Sequence, residues 1–171
     1  MCRGVRVPEK ALSFHATAIS CFNKGKLGKE LQFGRAFQLG RIGGNFLMAG
    51  SSTSLRMEDT DSVRPMVGVH QGLFGQGTLR SCGTDKGYYS GANRKYLEAL
   101  EGLDEFCLQQ PGANLTRLSE GEAESHARLV NRRSGIEPLI GHAKHGGQLG
   151  RSRMKQDETT MAAGYGAVGG F

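Results

Sequence analysis

Hydrophobic and polar positions change rhythm several times along the chain, and each change marks an element. Leu31, Phe33, Phe37 and Leu39 alternate with Gln32, Gly34, Ala36 and Gln38. A period of two sends successive side chains to opposite faces, so this stretch predicts a half-buried strand, interrupted at Arg35. Gly40 to Gly44 predicts a turn, and Phe46-Leu47-Met48-Ala49 begins a second strand; together they form a hairpin. Residues 50–77 are polar, acidic and Gly-rich, with a weak helical signal near 61–71. Thr78–Cys82 predicts a short strand, ended by Gly83-Thr84-Asp85-Lys86-Gly87. Ala92, Tyr96, Leu97, Leu100 and Leu103 recur at helical spacing, giving a helix over 91–101 closed near Gly102. Glu105–Gln109 reads as a further strand, stopped by Pro111-Gly112. From Leu118 onward the pattern is helical, with a break at Ser134-Gly135. Pro138 suits the first turn of a new helix, where its missing N–H costs nothing. Residues 1–23 hold no steady period. The order of hairpin, strand, helix, strand and helices predicts an α/β domain: a mixed sheet flanked by helices, short of one strand.

Composition narrows the class. The 171 residues make room for one domain and one core. Apolar residues are only 37% and Gly is 27 of 171, so the core is loosely specified. No apolar run approaches the roughly 18 residues of a membrane span, and Met1 to Lys10 has no apolar signal-peptide core. The expectation is a cytoplasmic protein, with no membrane partner. Cys2, Cys21, Cys82 and Cys107 include no CxxC pair, which disfavours a zinc knuckle. Cys82 and Cys107 fall in apolar stretches and read as reduced, buried fillers.

The charge is unevenly spread. The net +6, with an isoelectric point near 9.4, resolves into blocks. Residues 1–50 carry +6, residues 51–127 carry −4, residues 128–155 carry +6, and the remainder carries −2. Two basic blocks around an acidic middle fit either a polyanion partner or a soluble basic surface. Lys24-Gly25-Lys26-Leu27-Gly28-Lys29 is a basic Gly-rich turn, but not a phosphate-binding P-loop: Asn23 stands where the first Gly belongs, and no Ser or Thr follows Lys29.

Two carboxylates stand out. Asp85 sits at the carboxyl end of a predicted strand, where α/β sheets place ligands and catalytic groups. The plainer reading is an Asp that serves only the strand-to-helix turn. Glu137 is the only acidic residue between Arg128 and Lys155. It stands in the pattern Arg133-x3-Glu137-x6-Lys144, and seven residues on one helix bring Glu137 and Lys144 to the same face. Such a pair could hold a divalent ion beside a nucleic-acid phosphate, or simply be a solvated charged face. His126, His142 and His145 lie nearby without a third ligand at metal-site spacing, and read as polar or DNA-facing.

The run Arg132-Arg133-Ser134-Gly135-Ile136-Glu137-Pro138-Leu139-Ile140-Gly141-His142-Ala143-Lys144, followed by Leu149-Gly150-Arg151, resembles the last catalytic segment of bacterial insertion-sequence transposases of the DDE type. Thr84-Asp85-Lys86-Gly87-Tyr88-Tyr89 is similar to the segment bearing that family's second acidic residue. Lys24-Gly25-Lys26-Leu27-Gly28-Lys29-Glu30-Leu31-Gln32-Phe33-Gly34 is similar to the stretch entering its middle strands. The three stand in family order and span residues 24–151. Residues 1–23 form an irregular lead-in to what would be a partial catalytic domain over 1–171.

The resemblance implies an RNase H-like fold and DNA strand cleavage and transfer at transposon ends, with Mg²⁺ or Mn²⁺ held by three carboxylates. It makes Asp85 and Glu137 catalytic residues and metal ligands. It makes Arg133 and Lys144 DNA contacts, with Lys24, Lys26, Lys29, Arg151 and Arg153 as further DNA-binding cations. It implies DNA as partner, a nucleoid-associated bacterial setting, and room for a homo-oligomer in an intact family member. Two departures stand out. Val130 occupies the signature's Tyr position, and no Asp occurs before Asp59, so the first carboxylate and its strand look absent. The expectation is a truncated chain, inactive alone. The alternatives are a non-catalytic basic DNA-binding remnant and a different RNase H-like nuclease.

Overall fold

A computed structural model describes residues 19–26, 29–53, 58–110, 112, 119–151 and 153–170. Among them β1 (Ser20–Lys26) pairs antiparallel with β2 (Lys29–Gly34). β3 (Ala36–Arg41) pairs antiparallel with β4 (Leu47–Thr53). α1 (Asp59–Phe74) leads to β5 (Ser81–Gly83), and α2 (Gly91–Glu98) leads on to β6 (Glu105–Cys107). β5 and β6 are parallel, and α2 lies in the long crossover that a parallel pair needs. The chain ends in α3 (Glu120–Ser134), α4 (Ile136–His145) and α5 (Asp157–Gly169).

The class is mixed α/β, with one correction to its layout. The strands form three two-stranded ladders rather than one mixed sheet. The alternation over 31–39 is likewise two strands, not one. At Arg35 the chain leaves the ladder it shares with β1 and enters the one it shares with β4. Periodicity reports that alternate side chains face apart; it does not report which neighbour supplies the hydrogen bonds. The hairpin over Gly40–Gly44 forms as expected, with Gly44 and Asn45 both at positive φ in its turn.

Apolar contacts gather in two clusters. One joins buried Leu47, Ala143 and Val168, with Leu39, Ile136 and Leu139 against them. It holds α4 and α5 on the β3–β4 hairpin. Gly164 of α5 lies so close on the Phe37 ring that a Cβ there would overlap it. Tyr165 secures the same helix: its hydroxyl donates to the Gly50 carbonyl at 3.2 Å, and its ring meets Phe37 edge-on. The second cluster joins Val63, Val67 and Leu97, with Leu79, Tyr96 and Phe106 around them. Val63 and Val67 are one helical turn apart, which sets the buried face of α1. Buried Asn93 ties this cluster together, its amide donating to the carbonyls of Thr60 at 2.7 Å and Tyr88 at 3.0 Å. No described helix is long and apolar enough to cross a membrane.

Candidate functional site

Asp85 lies two residues beyond β5. The parallel β5–β6 ladder continues through Thr84, whose N–H donates to the Cys107 carbonyl at 3.0 Å. This carries Asp85 to the carboxyl end of the strand pair. Both of its carboxylate oxygens are engaged. Oδ1 accepts from the Lys86 N–H at 2.8 Å and so caps the 3-10 turn Lys86–Tyr88. Oδ2 pairs with Arg133 Nη1 at 3.2 Å. The turn-serving Asp and the Asp of a charged site are therefore the same residue.

Arg133 comes from the last turn of α3, where a cation suits the helix's negative end. Gly135 joins α3 to α4 with an ordinary φ of −66°, and the Arg41 guanidinium lies where its side chain would stand. Arg41 donates to the Arg132 carbonyl at 2.9 Å and to Asn45 Oδ1. That links the β3–β4 turn to the α3–α4 junction. Glu137 then falls in the first turn of α4, the favourable end for a carboxylate, with Pro138 beside it as expected.

Asp85, Arg133 and Glu137 line one cavity of about 540 Å³. Its other polar groups include Arg41, Arg80, Arg132, His70 and Gln38. Leu39, Met48, Val63, Val67, Leu129 and Ile136 give it an apolar interior. Sequence reading missed Arg41 and His70, because only tertiary folding brings them to the cavity and no spacing links them; Arg132 and Tyr88 stood in the motif runs without a role of their own. The Tyr88 hydroxyl donates to Gln38 Oε1 at 3.0 Å across the cavity. Burial, and then the charges of Asp59 and Asp85, push the Tyr88 phenol above its ordinary value. Burial holds the His70 imidazole below its ordinary value.

Asp59, set aside in the sequence by chain order, sits in the first turn of α1 directly against Gly87. It is close to Asp85 but does not line the cavity. Among the described residues no group of three His, Cys, Asp or Glu side chains is placed to hold a metal ion. With Asp85 already shared between Lys86 and Arg133, the described side chains do not fit a two-ion site.

The remaining expected DNA contacts are dispersed. Lys144 is exposed on the same helix as Glu137 but outside the cavity wall. Arg151 and Arg153 are exposed beyond α4, and His142 and His145 are exposed on it. Lys24, Lys26 and Lys29 fall on β1 and β2, and their side chains lie outside the described residues. Cys107 is buried and Cys82 half-buried, which fits their role as fillers. Comparison of the chain with family models, with characterised proteins and with solved structures returned no match.

Proposed function

We propose that this chain carries the DNA-facing part of an insertion-sequence transposase catalytic domain of RNase H-like type, and that it binds DNA without cutting it alone. One observation carries the reading: Asp85 converges on one cavity with Arg133 and Glu137, which lie about fifty residues further along the chain, all three singled out by motif. Exposed Arg132 on the cavity wall, and exposed Lys144, Arg151 and Arg153 outside it, supply positive charge for phosphate. Guanidinium forks suit phosphate geometry, and each neutralised phosphate releases a counterion.

Binding without cleavage follows from the state of Asp85. Transposase chemistry of this type draws on Mg²⁺ or Mn²⁺ held between carboxylates. Here Asp85 is a turn cap and an ion-pair partner, and among the described residues Glu137 is the only other carboxylate on the cavity wall. Hard divalent cations favour oxygen-rich shells that two such groups do not supply. What remains to the chain's own residues is to attract and orient the nucleic-acid backbone.

The test is fluorescence anisotropy with a labelled DNA duplex across a salt series. Affinity is expected to fall steeply with salt. Arg133→Ala and Lys144→Ala are each expected to weaken binding and to reduce the salt slope by about one. Unchanged affinity and slope in both variants would overturn the assignment of these cations to DNA.

A further inference from the structure

The Asp85–Arg133 pair joins two elements that are both tied to one strand. Gln38 of β3 accepts from the Tyr88 hydroxyl at 3.0 Å, and Tyr88 closes the 3-10 turn that Asp85 caps. Arg41, at the end of the same strand, donates through Nη1 to the Arg132 carbonyl at 2.9 Å, one residue before Arg133. About 10 Å of strand separates the two positions. The carboxylate's turn is held at one point of β3 and the guanidinium's helix end at another.

The Arg41 contact is specific in its geometry. The last carbonyls of a helix have no partner within it. In α3 the Asn131 carbonyl accepts from the Ser134 hydroxyl at 2.7 Å, and the Arg133 carbonyl accepts from the Gly135 N–H. The donor to the Arg132 carbonyl comes from another element. Arg41 also donates through Nη2 to Asn45 Oδ1, and Asn45 is held at φ 67° in the hairpin turn. The same guanidinium fills the space beside Gly135, between Arg133 and Glu137. One planar fork therefore joins the hairpin turn to the helix junction, which the flexible point charge of a lysine does not do. These contacts direct half-buried Arg41 to the protein's own backbone.

We infer that Arg41 is a positioning residue: it sets the α3–α4 junction so that Arg133 meets Asp85 at the cavity, and it acts through the Arg132 carbonyl rather than as a DNA contact itself. Gln38 fixes the other side of the pair through Tyr88. An ion pair near the surface is worth little alone, because ordering two side chains offsets their attraction. Holding both backbones in place beforehand removes part of that cost. The pairing in the free chain does not depend on nucleic acid; its bearing on phosphate rests on the function proposed above.

The test uses the full chain. The Arg133 guanidinium N–H resonances are assigned by their loss in Arg133→Lys, and their unpaired position is read from Asp85→Asn. Arg41→Lys keeps the charge and loses the fork. It is expected to move the Arg133 resonances toward their position in Asp85→Asn, and to weaken binding of a labelled duplex about two- to fivefold, the span of an exposed ion pair. Combined with Arg133→Ala it is expected to weaken binding no further. Asn45→Gly removes one acceptor of the fork while suiting the positive φ, and is expected to move the same resonances in the same direction. It decides the question if Arg41→Lys does not fold. Unmoved Arg133 resonances in the folded variant would overturn the inference, whatever happened to stability. An equal further loss of binding in the Arg133→Ala background would make Arg41 itself a phosphate ligand and overturn it as well. Moved resonances in a chain that binds no duplex would uphold the positioning and refute the DNA reading alone.

Discussion

Asp85 makes two contacts at once, a turn cap and an ion pair. Its residue type and its place after a strand were legible in the sequence; its partner was not. Arg133 reaches it only because α3 packs on the β5–β6 ladder, where the Leu129 carbonyl lies against Gly83. Arg41 was illegible for the same reason: its contacts at Arg132 and Gly135 depend on the hairpin meeting a distant helix junction. The thiols carry a prediction at this scale. Burial, and then the neighbouring Cys107, push the Cys82 thiol up from 9.0 to about 11. The thiolate is the nucleophile, so Cys82 is expected to resist iodoacetamide at pH 8 in the folded chain and to react once the chain is unfolded. Equal rates in both states would contradict the burial. Linkage gives a second readout. Between about pH 9 and 11 the unfolded chain releases a proton that the native chain retains, so stability falls as pH rises through that window and is unaffected by Cys82 below it.

At the scale of elements, legibility followed local signal strength. The β3–β4 hairpin and the α3–α4 break were readable from Gly clusters and alternation. α1 was nearly hidden, because Pro65, Gly68 and Gly72 lie inside it and each weakens helix propensity. Tertiary packing of Val63 and Val67 against Leu97 outweighs that cost. α2 is held at both levels. The Ser90 hydroxyl accepts from the Asn93 N–H at 3.1 Å, and the Asn93 amide bonds to two carbonyls outside the helix. Ser90→Ala is expected to cost about 1 kcal/mol in chemical denaturation. Asn93→Ala removes the amide's bonds to the Thr60 carbonyl of α1 and to the Tyr88 carbonyl, and is expected to cost more, about 2 kcal/mol. The reverse order of severity would mean that the amide does not join α1 to α2. On the other cluster, Gly164→Val forces a side chain into the Phe37 ring and is expected to cost about 1–3 kcal/mol in the same assay. An unchanged denaturation midpoint would mean that α5 does not seat on the hairpin as described.

At the scale of the whole molecule, the described residues form an α/β arrangement of three small ladders and two apolar clusters with a charged cavity between them. The order of the described elements was legible. The separation into ladders was not, since hydrogen-bond partners across a gap leave no trace in periodicity. The basic blocks at 1–50 and 128–155 were plain in the sequence, and the fold brings Arg41 of the first against Arg132 of the second. Ligands that bind only the folded chain stabilise it by mass action, so duplex DNA is expected to raise the melting temperature more at low salt than at high. Equal shifts at both would argue against phosphate as the ligand.

Binding without cleavage is tested most directly by incubating the full chain with a labelled duplex bearing insertion-sequence ends, with and without Mg²⁺, and resolving the same samples by anisotropy and on a denaturing gel. The expected result is saturable, salt-sensitive binding with every strand intact. Mg²⁺-dependent nicks that disappear in Asp85→Asn, or an absence of binding at low salt by a demonstrably folded chain, would contradict it.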